Sequence, residues 1–110
     1  MNLVVDVVDQ QETSTVHLSG EVDAYTAPEL KAKLLPLTYH QGHTVNVDLK
    51  DVTYMDSTGL GVFISALKST NEHESKLKLI NIQERVLRLF KITGLDEIMD
   101  IDAGIRGGNV

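Results

Sequence analysis

The sequence predicts a single α/β domain with a mixed β-sheet of about four to five strands packed against helices. Two short β-branched segments open the chain with four polar residues between them, which is the pattern of an antiparallel hairpin. After residue 44, segments with strand and helix periodicity alternate, which indicates parallel strands joined by crossover helices. The length of 110 residues suits one domain with one core.

The hairpin is predicted over residues 3–8 and 13–19. Thr26 stands three residues before Glu29, with Pro28 between them, and this spacing predicts a capping box at the start of a short helix. The apolar positions of that helix are Leu30, Leu34 and Leu37.

The second half of the chain supplies the crossover units. A polar connector over residues 39–43 precedes them. The predicted elements are then a strand over 45–49, a helix from about residue 57 to between 71 and 75, a strand over 77–82, a helix over 85–91 with Gly94 as C-cap, and a last strand over 98–101. We expect residues 1–103 to form the domain and residues 104–110 to form a flexible C-terminal tail.

Charge and composition exclude several classes of function. Ten basic and sixteen acidic residues give a net charge of −6, which disfavours direct binding to nucleic acid. No apolar run approaches the roughly 20 residues of a membrane span, so no membrane association is expected. The chain has no cysteine and its first residues do not resemble a signal peptide. We therefore expect a cytoplasmic protein without disulfides.

The charges are unevenly distributed along the chain. Residues 1–30 carry six acidic side chains and no lysine or arginine, whereas residues 76–91 carry five basic side chains against Glu84 alone. Such blocks are ordinarily solvated faces. The functional alternative is an acidic docking surface in the first block.

The junction at residues 54–63 carries the strongest functional signal. Asp56, Ser57 and Thr58 stand where the strand passes into the helix, and any of the three could cap that helix. A serine at a helix start is also an anion site and an accessible phosphoacceptor. Gly59 and Gly61 would destabilise the first turn, but glycine permits the close approach of another surface. Capping alone leaves these glycines unexplained.

Signals for catalysis and metal binding are weak. No phosphate-binding loop follows the two glycines, and the serine lacks the preceding glycine of a nucleophile elbow. One histidine falls in a strand and three in apparent loops, with no reason to converge on Ser57; these are His17, His40, His43 and His73. We interpret His40 and His43 as exposed loop residues. The carboxylates that could bind magnesium are interpreted as strand-end and capping groups; they are Asp48, Asp51 and Asp56. We therefore expect no catalytic residues, metal or cofactor.

Three segments resemble the STAS-domain anti-sigma factor antagonists, and the resemblance extends over nearly the whole chain. They are Asp51 to Phe63, Gly20 to Pro28 and Arg85 to Leu95. The resemblance is strongest to the antagonists of the general stress pathway of Gram-positive bacteria. It implies a regulatory protein rather than an enzyme.

The resemblance also implies partners and site residues. An unphosphorylated antagonist binds an anti-sigma factor that is also a serine kinase, so that the sigma factor is released. The same kinase then phosphorylates Ser57, and a PP2C-type phosphatase restores the serine. The implied partner-binding residues are Glu21, Asp23, Asp56, Thr58, Gly59 and Leu60.

Two alternatives stay open at this point. A STAS-like domain could instead sense a nucleotide or another small ligand. Less favoured is a hydrolase that uses Ser57 as its nucleophile, since the sequence supplies no evident base for it.

Overall fold

A computed structural model describes residues 2–102 and contains one five-stranded sheet with strand order β1-β2-β3-β4-β5. The strands are β1 (Leu3–Asp9), β2 (Thr13–Val22), β3 (Thr44–Met55), β4 (Lys76–Ile80) and β5 (Asp100–Asp102). The helices are α1 (Ala27–Leu34), α2 (Ser57–His73) and α3 (Glu84–Ile92), with 3₁₀ turns at Leu35–Tyr39 and Leu95–Glu97. β1 pairs with β2 antiparallel, and the other three pairs are parallel. The predicted mixed sheet is confirmed.

All three helices lie on the same face of the sheet. Each crossover leads to the next strand in the same direction, and right-handed crossovers of that kind place their helices on one side. Burial follows the strand period, because Val45, Val47 and Leu49 are buried under the helices. The Phe63 ring of α2 meets the Phe90 ring of α3 edge to face, with 6.2 Å between ring centroids.

Two central strands are longer than their sequence pattern predicts. β2 continues to Val22 and β3 to Met55, whereas β3 pairs with β4 only as far as Asp48. The hydrophobic alternation of β3 breaks after Leu49, and β-bulges shift its pairing with β2 by a residue twice. The β2–β3 pair therefore extends past β4 and β5, and its end carries both the β2–α1 loop and the start of α2.

Smaller differences occur at other element ends. α1 stops at Leu34, because Pro36 follows and the chain continues as a 3₁₀ turn that contains Leu37. β4 ends at Ile80, since Asn81 adopts a positive φ of 56°. β5 begins at Asp100 rather than at residue 98.

Of the two features predicted near the C-terminus, the structure describes the C-cap at Gly94 but not the tail. Gly94 has a φ of 78° just after α3, as predicted for its C-cap. The predicted tail at residues 104–110 lies outside the described residues. Among residues 2–102, no helix is both long enough and apolar enough to cross a membrane.

Candidate functional site

Asp56, and not Ser57, caps helix α2. Its backbone is extended, with φ −110° and ψ −175°, and its Oδ1 accepts a hydrogen bond of 2.9 Å from the amide of Gly59. The Asp56 amide in turn donates to the carbonyl of Val22 at 3.2 Å. This second bond holds Asp56 at the position from which it can cap the helix.

Ser57 is the first residue of α2, and its side chain is exposed. Because Asp56 satisfies the Gly59 amide, the hydroxyl of Ser57 is not needed for capping. Within residues 2–102 it makes no hydrogen bond. A free hydroxyl at the positive end of a 17-residue helix is accessible to a modifying enzyme, and a phosphate there is favourably placed.

The β2–α1 loop is held by reciprocal hydrogen bonds and not by the predicted capping box. Asp23 Oδ1 accepts from the amides of Tyr25 at 2.9 Å and Thr26 at 3.0 Å. The buried Thr26 hydroxyl accepts from the Asp23 amide at 3.0 Å and donates to the Glu21 carbonyl at 2.8 Å. The capping-box prediction was wrong because Thr26 is committed to this turn and makes no cap hydrogen bond in α1.

The same hydrogen bonds set the charge state of Asp23. The Thr26 amide is the main cause of a lowered pKa for the Asp23 carboxyl, the Tyr25 amide and Thr26 hydroxyl add to the effect, and partial desolvation opposes it. A carboxyl with a pKa below its ordinary value is fully ionised at neutral pH. Asp23 is thus a negative charge on a loop that is held by hydrogen bonds to Tyr25 and Thr26.

Glu21, Asp23 and Asp56 converge on one cleft, which we call the acidic cleft. Its volume is about 470 Å³, and Tyr25, Tyr54 and Ala24 complete its lining. The strand register explains the convergence, because Glu21 pairs with Tyr54 and Val22 with Met55 directly before the two loops. Ser57 directly follows Asp56 in the chain.

Sequence reasoning did not assign roles to the two tyrosines of the acidic cleft. The side chain of Tyr25 is 83% exposed, and Tyr54 is also exposed. Exposed aromatic rings beside carboxylates are suited to contact a cationic side chain. The available signal was a tyrosine in an otherwise small and polar turn at residues 23–26.

Thr58, Gly59 and Leu60 occupy different environments. Thr58 is exposed and lines a second cleft of about 310 Å³ between α1 and α2. Leu60 is buried in the core, so its side chain anchors the start of α2 and does not face solvent. A Cβ at Gly59 would lie 2.5 Å from the Val22 carbonyl oxygen. This glycine therefore permits α2 to pack closely against β2 within the chain.

Gly61 differs from Gly59 although both are in the first turns of α2. A Cβ at Gly61 would meet nothing within 4 Å, and the residue lines the cleft between α1 and α2. The fold therefore accounts for the absence of a side chain at Gly59 but not at Gly61.

The histidines do not approach Ser57. His43 was predicted to be exposed, but it is buried, with its Nε2 2.7 Å from the hydroxyl of Ser14. His73 was predicted in a loop, but it is the last residue of α2, and its Nδ1 lies 2.8 Å from the Ser69 carbonyl. His17 lies in β2, as predicted, and pairs with Asp48 at 3.1 Å. His40 is exposed in the connector.

The contact of His43 with Ser14 is not a catalytic arrangement. Ser14 donates its proton to Asp9 Oδ1 at 2.5 Å, so it must accept from His43 Nε2. An imidazole nitrogen that donates cannot act as the base for that serine, and Ser14 is completely buried. In the described part of the chain, no set of three or more histidine, aspartate or glutamate side chains could hold a metal ion.

Comparison with known proteins gives concordant similarities. The STAS domain family matches residues 4–106. An anti-sigma-B factor antagonist of Bacillus subtilis is 49% identical over 108 residues, covering 98% of each chain. An anti-sigma factor antagonist structure from Mycobacterium paratuberculosis has a TM-score of 0.81 at 22% identity, covering 92% of this chain and 86% of that one. The phosphorylated Bacillus cell fate determinant SpoIIAA has a TM-score of 0.70 at 20% identity, covering 89% and 90%.

Proposed function

This chain belongs to the STAS domain family, and from that premise we propose that it is an anti-sigma factor antagonist switched by phosphorylation of Ser57. In its unphosphorylated form it binds an anti-sigma factor that is also a serine kinase, and the bound sigma factor is released. The observation that carries the proposal is the exposed hydroxyl of Ser57, which Asp56 leaves free by capping α2. The 49% identity to an anti-sigma-B factor antagonist supports the same role.

The acidic cleft is the proposed partner-binding surface. Three carboxylates and two tyrosine rings gather in this cleft, which Asp56, the neighbour of Ser57 in the chain, helps to line, and the combination suits an arginine or lysine of the kinase. Thr58 extends the surface towards the cleft between α1 and α2. Gly59 and Leu60 contribute by fixing the start of α2, because both are buried.

The switch is electrostatic and local. A phosphate adds about −1.5 to −2 of charge. That charge would lie next to Asp56, one of the three carboxylates of the acidic cleft, in a chain that already carries −6. The N-terminus of α2 stabilises an anion by roughly 0.3–1 kcal/mol, so the phosphate has no need to unfold the helix. A partner that packs closely against Ser57 must then accommodate the bulk of the phosphate and desolvate its charge.

The chemistry of the cycle belongs to the partners. ATP and its metal ion are bound by the kinase, and a PP2C-type phosphatase with its own metal ions restores Ser57. We infer that this chain is a substrate and ligand in both reactions rather than an enzyme. A serine hydrolase is disfavoured because, within residues 2–102, no histidine hydrogen-bonds to Ser57.

Phosphate transfer to Ser57 tests the proposal. The Bacillus subtilis relative is an antagonist of anti-sigma-B factor, so anti-sigma-B factor from that bacterium is a defined probe. Incubation with this factor, ATP and Mg²⁺ should add one phosphoryl group to the wild type and to Thr58→Ala, as read by intact mass. Ser57→Ala should gain none. A phosphoryl group on Ser57→Ala, or an unmodified wild type, contradicts the proposal.

A further inference from the structure

The basic block of residues 76–91 is not used by the proposed switch. Three of its five cations lie on α3, and they are Arg85, Arg88 and Lys91. All three side chains are exposed. In the part of the chain that the structure describes, none of them makes a salt bridge. α3 therefore presents three solvated cations and one acidic residue, Glu84, in a protein of net charge −6.

Arg85, Arg88 and Ile92 share one face of α3, because they are spaced i, i+3 and i+7. Ile92 is 76% exposed, which is unusual for a large aliphatic side chain. Arginine next to exposed apolar surface is typical of protein–protein interfaces, where lysine is depleted. We call these three residues the α3 face.

The α3 face begins close to the acidic cleft. Arg85 and Arg88 line a cleft of about 520 Å³ together with Thr53 of β3, and Gln83 and Glu84 complete its lining. The residue after Thr53, Tyr54, lines the acidic cleft. The two clefts are therefore lined by consecutive residues of β3, Thr53 and Tyr54, shortly before Ser57 in the chain.

We propose that the α3 face binds an acidic element of the same anti-sigma factor that occupies the acidic cleft. This inference rests on the proposed function. The Cβ atoms of two residues spaced i, i+3 are about 5–6 Å apart, so the two guanidinium groups can pair with two carboxylates one turn apart, and Ile92 provides an apolar contact beside them. Charge pairs of opposite sign at the acidic cleft and at the α3 face favour one orientation of the partner. The α3 face thereby determines how Ser57 is presented for phosphorylation.

Nucleic acid is a less suitable occupant of the α3 face. The strength of such binding depends on how many phosphates are neutralised, and α3 offers three cations on a strongly acidic protein. Acidic protein groups need only the local pair of arginines. A labelled DNA duplex nevertheless provides a comparison ligand.

Charge reversal tests the proposal. The variant Arg85→Glu/Arg88→Glu is compared with Lys68→Glu/Lys76→Glu, which makes the same change in net charge at exposed lysines of α2 and β4. Binding to immobilised Bacillus subtilis anti-sigma-B factor is measured at two salt concentrations. We expect the arginine variant to lose at least about tenfold in affinity, partly through slower association, and the lysine variant to lose less than about threefold. The wild type should lose more affinity on addition of salt than the arginine variant does.

The outcomes separate the two proposals. Arginine and lysine variants that bind equally overturn the role of the α3 face, whether both match the wild type or both are weakened. DNA binding by the wild type that disappears in the arginine variant, with unchanged binding to the factor, overturns it as well. A wild type that does not bind the factor at all overturns the proposed function. Matching thermal unfolding midpoints for both variants verify that each is folded.

Discussion

Phosphorylated Ser57 is expected to lower the affinity for anti-sigma-B factor by at least about a hundredfold, which corresponds to about 2.7 kcal/mol. The reason is the added negative charge at a site where a partner must pack closely and desolvate its own groups. Ser57→Asp should show a smaller loss, because one carboxylate carries less charge than a phosphate. Ser57→Ala should stay within about threefold of the wild type, since its hydroxyl makes no hydrogen bond among residues 2–102.

Isothermal titration calorimetry of these four proteins measures the effect. Asn71→Asp is the matched control, because it adds one carboxylate to the exposed surface of the same helix. Residue 71 is about 20 Å along α2 from residue 57. This control should bind as the wild type does. Equal losses for Ser57→Asp and Asn71→Asp would mean that net charge, and not position, governs binding.

Substitution of the two glycines of α2 by alanine is expected to change stability in opposite directions. The added Cβ at Gly59 would lie 2.5 Å from the backbone oxygen of Val22, which cannot move without disturbing β2. Overpacking of this kind costs roughly 1–3 kcal/mol, and contact with backbone places Gly59→Ala near the upper end. Gly61→Ala should stabilise the protein by up to about 1 kcal/mol, because its Cβ has open space and alanine favours the helix.

Denaturant unfolding of both variants provides the comparison, with the wild type as reference. The midpoint should fall for Gly59→Ala and rise for Gly61→Ala, with little change in slope for either. A lower midpoint for Gly61→Ala would show that the glycine has a structural role within the chain. A Gly59→Ala protein as stable as the wild type would contradict the close packing of α2 against β2.

The cap of α2 illustrates where sequence reasoning reached its limit. Asp56, Ser57 and Thr58 are all good capping residues, and their spacing to the helix does not distinguish them. The choice depends on a hydrogen bond from the Asp56 amide to Val22, a residue 34 positions earlier in the chain. Only the pairing of β2 with β3 brings these groups together. The residue types were therefore predictable, but the assignment of their roles was not.

The other predictions were also right where the cause is local in sequence and wrong where a residue makes competing or distant contacts. Strand alternation and helix periodicity are local, and the mixed sheet with three helices was predicted from them. The burial of His43 depends on Ser14, which lies 29 positions away, so a histidine beside a glycine was misinterpreted as exposed. Thr26 was misassigned because its turn with Asp23 competes with the capping box for the same hydroxyl.

The convergence of acidic residues beside Ser57 was predictable in part. The charge bias of residues 1–30 indicated an acidic surface, and the ends of neighbouring parallel strands meet at one edge of a sheet. The two tyrosines of the acidic cleft were not foreseen. Tyr54 lies in the part of β3 that extends beyond β4, an extension that the sequence pattern did not indicate, and Tyr25 lies in the loop that follows β2.

Competition for anti-sigma-B factor tests the central claim most directly. A complex of Bacillus subtilis sigma-B with its anti-sigma factor, carrying a label on sigma-B, is titrated with this chain in the absence and presence of phosphate on Ser57. The unphosphorylated chain should release labelled sigma-B at about equimolar concentration, and the phosphorylated chain should release essentially none. Equal release by both forms would contradict a switch at Ser57, and no release by either form would contradict the antagonist function itself.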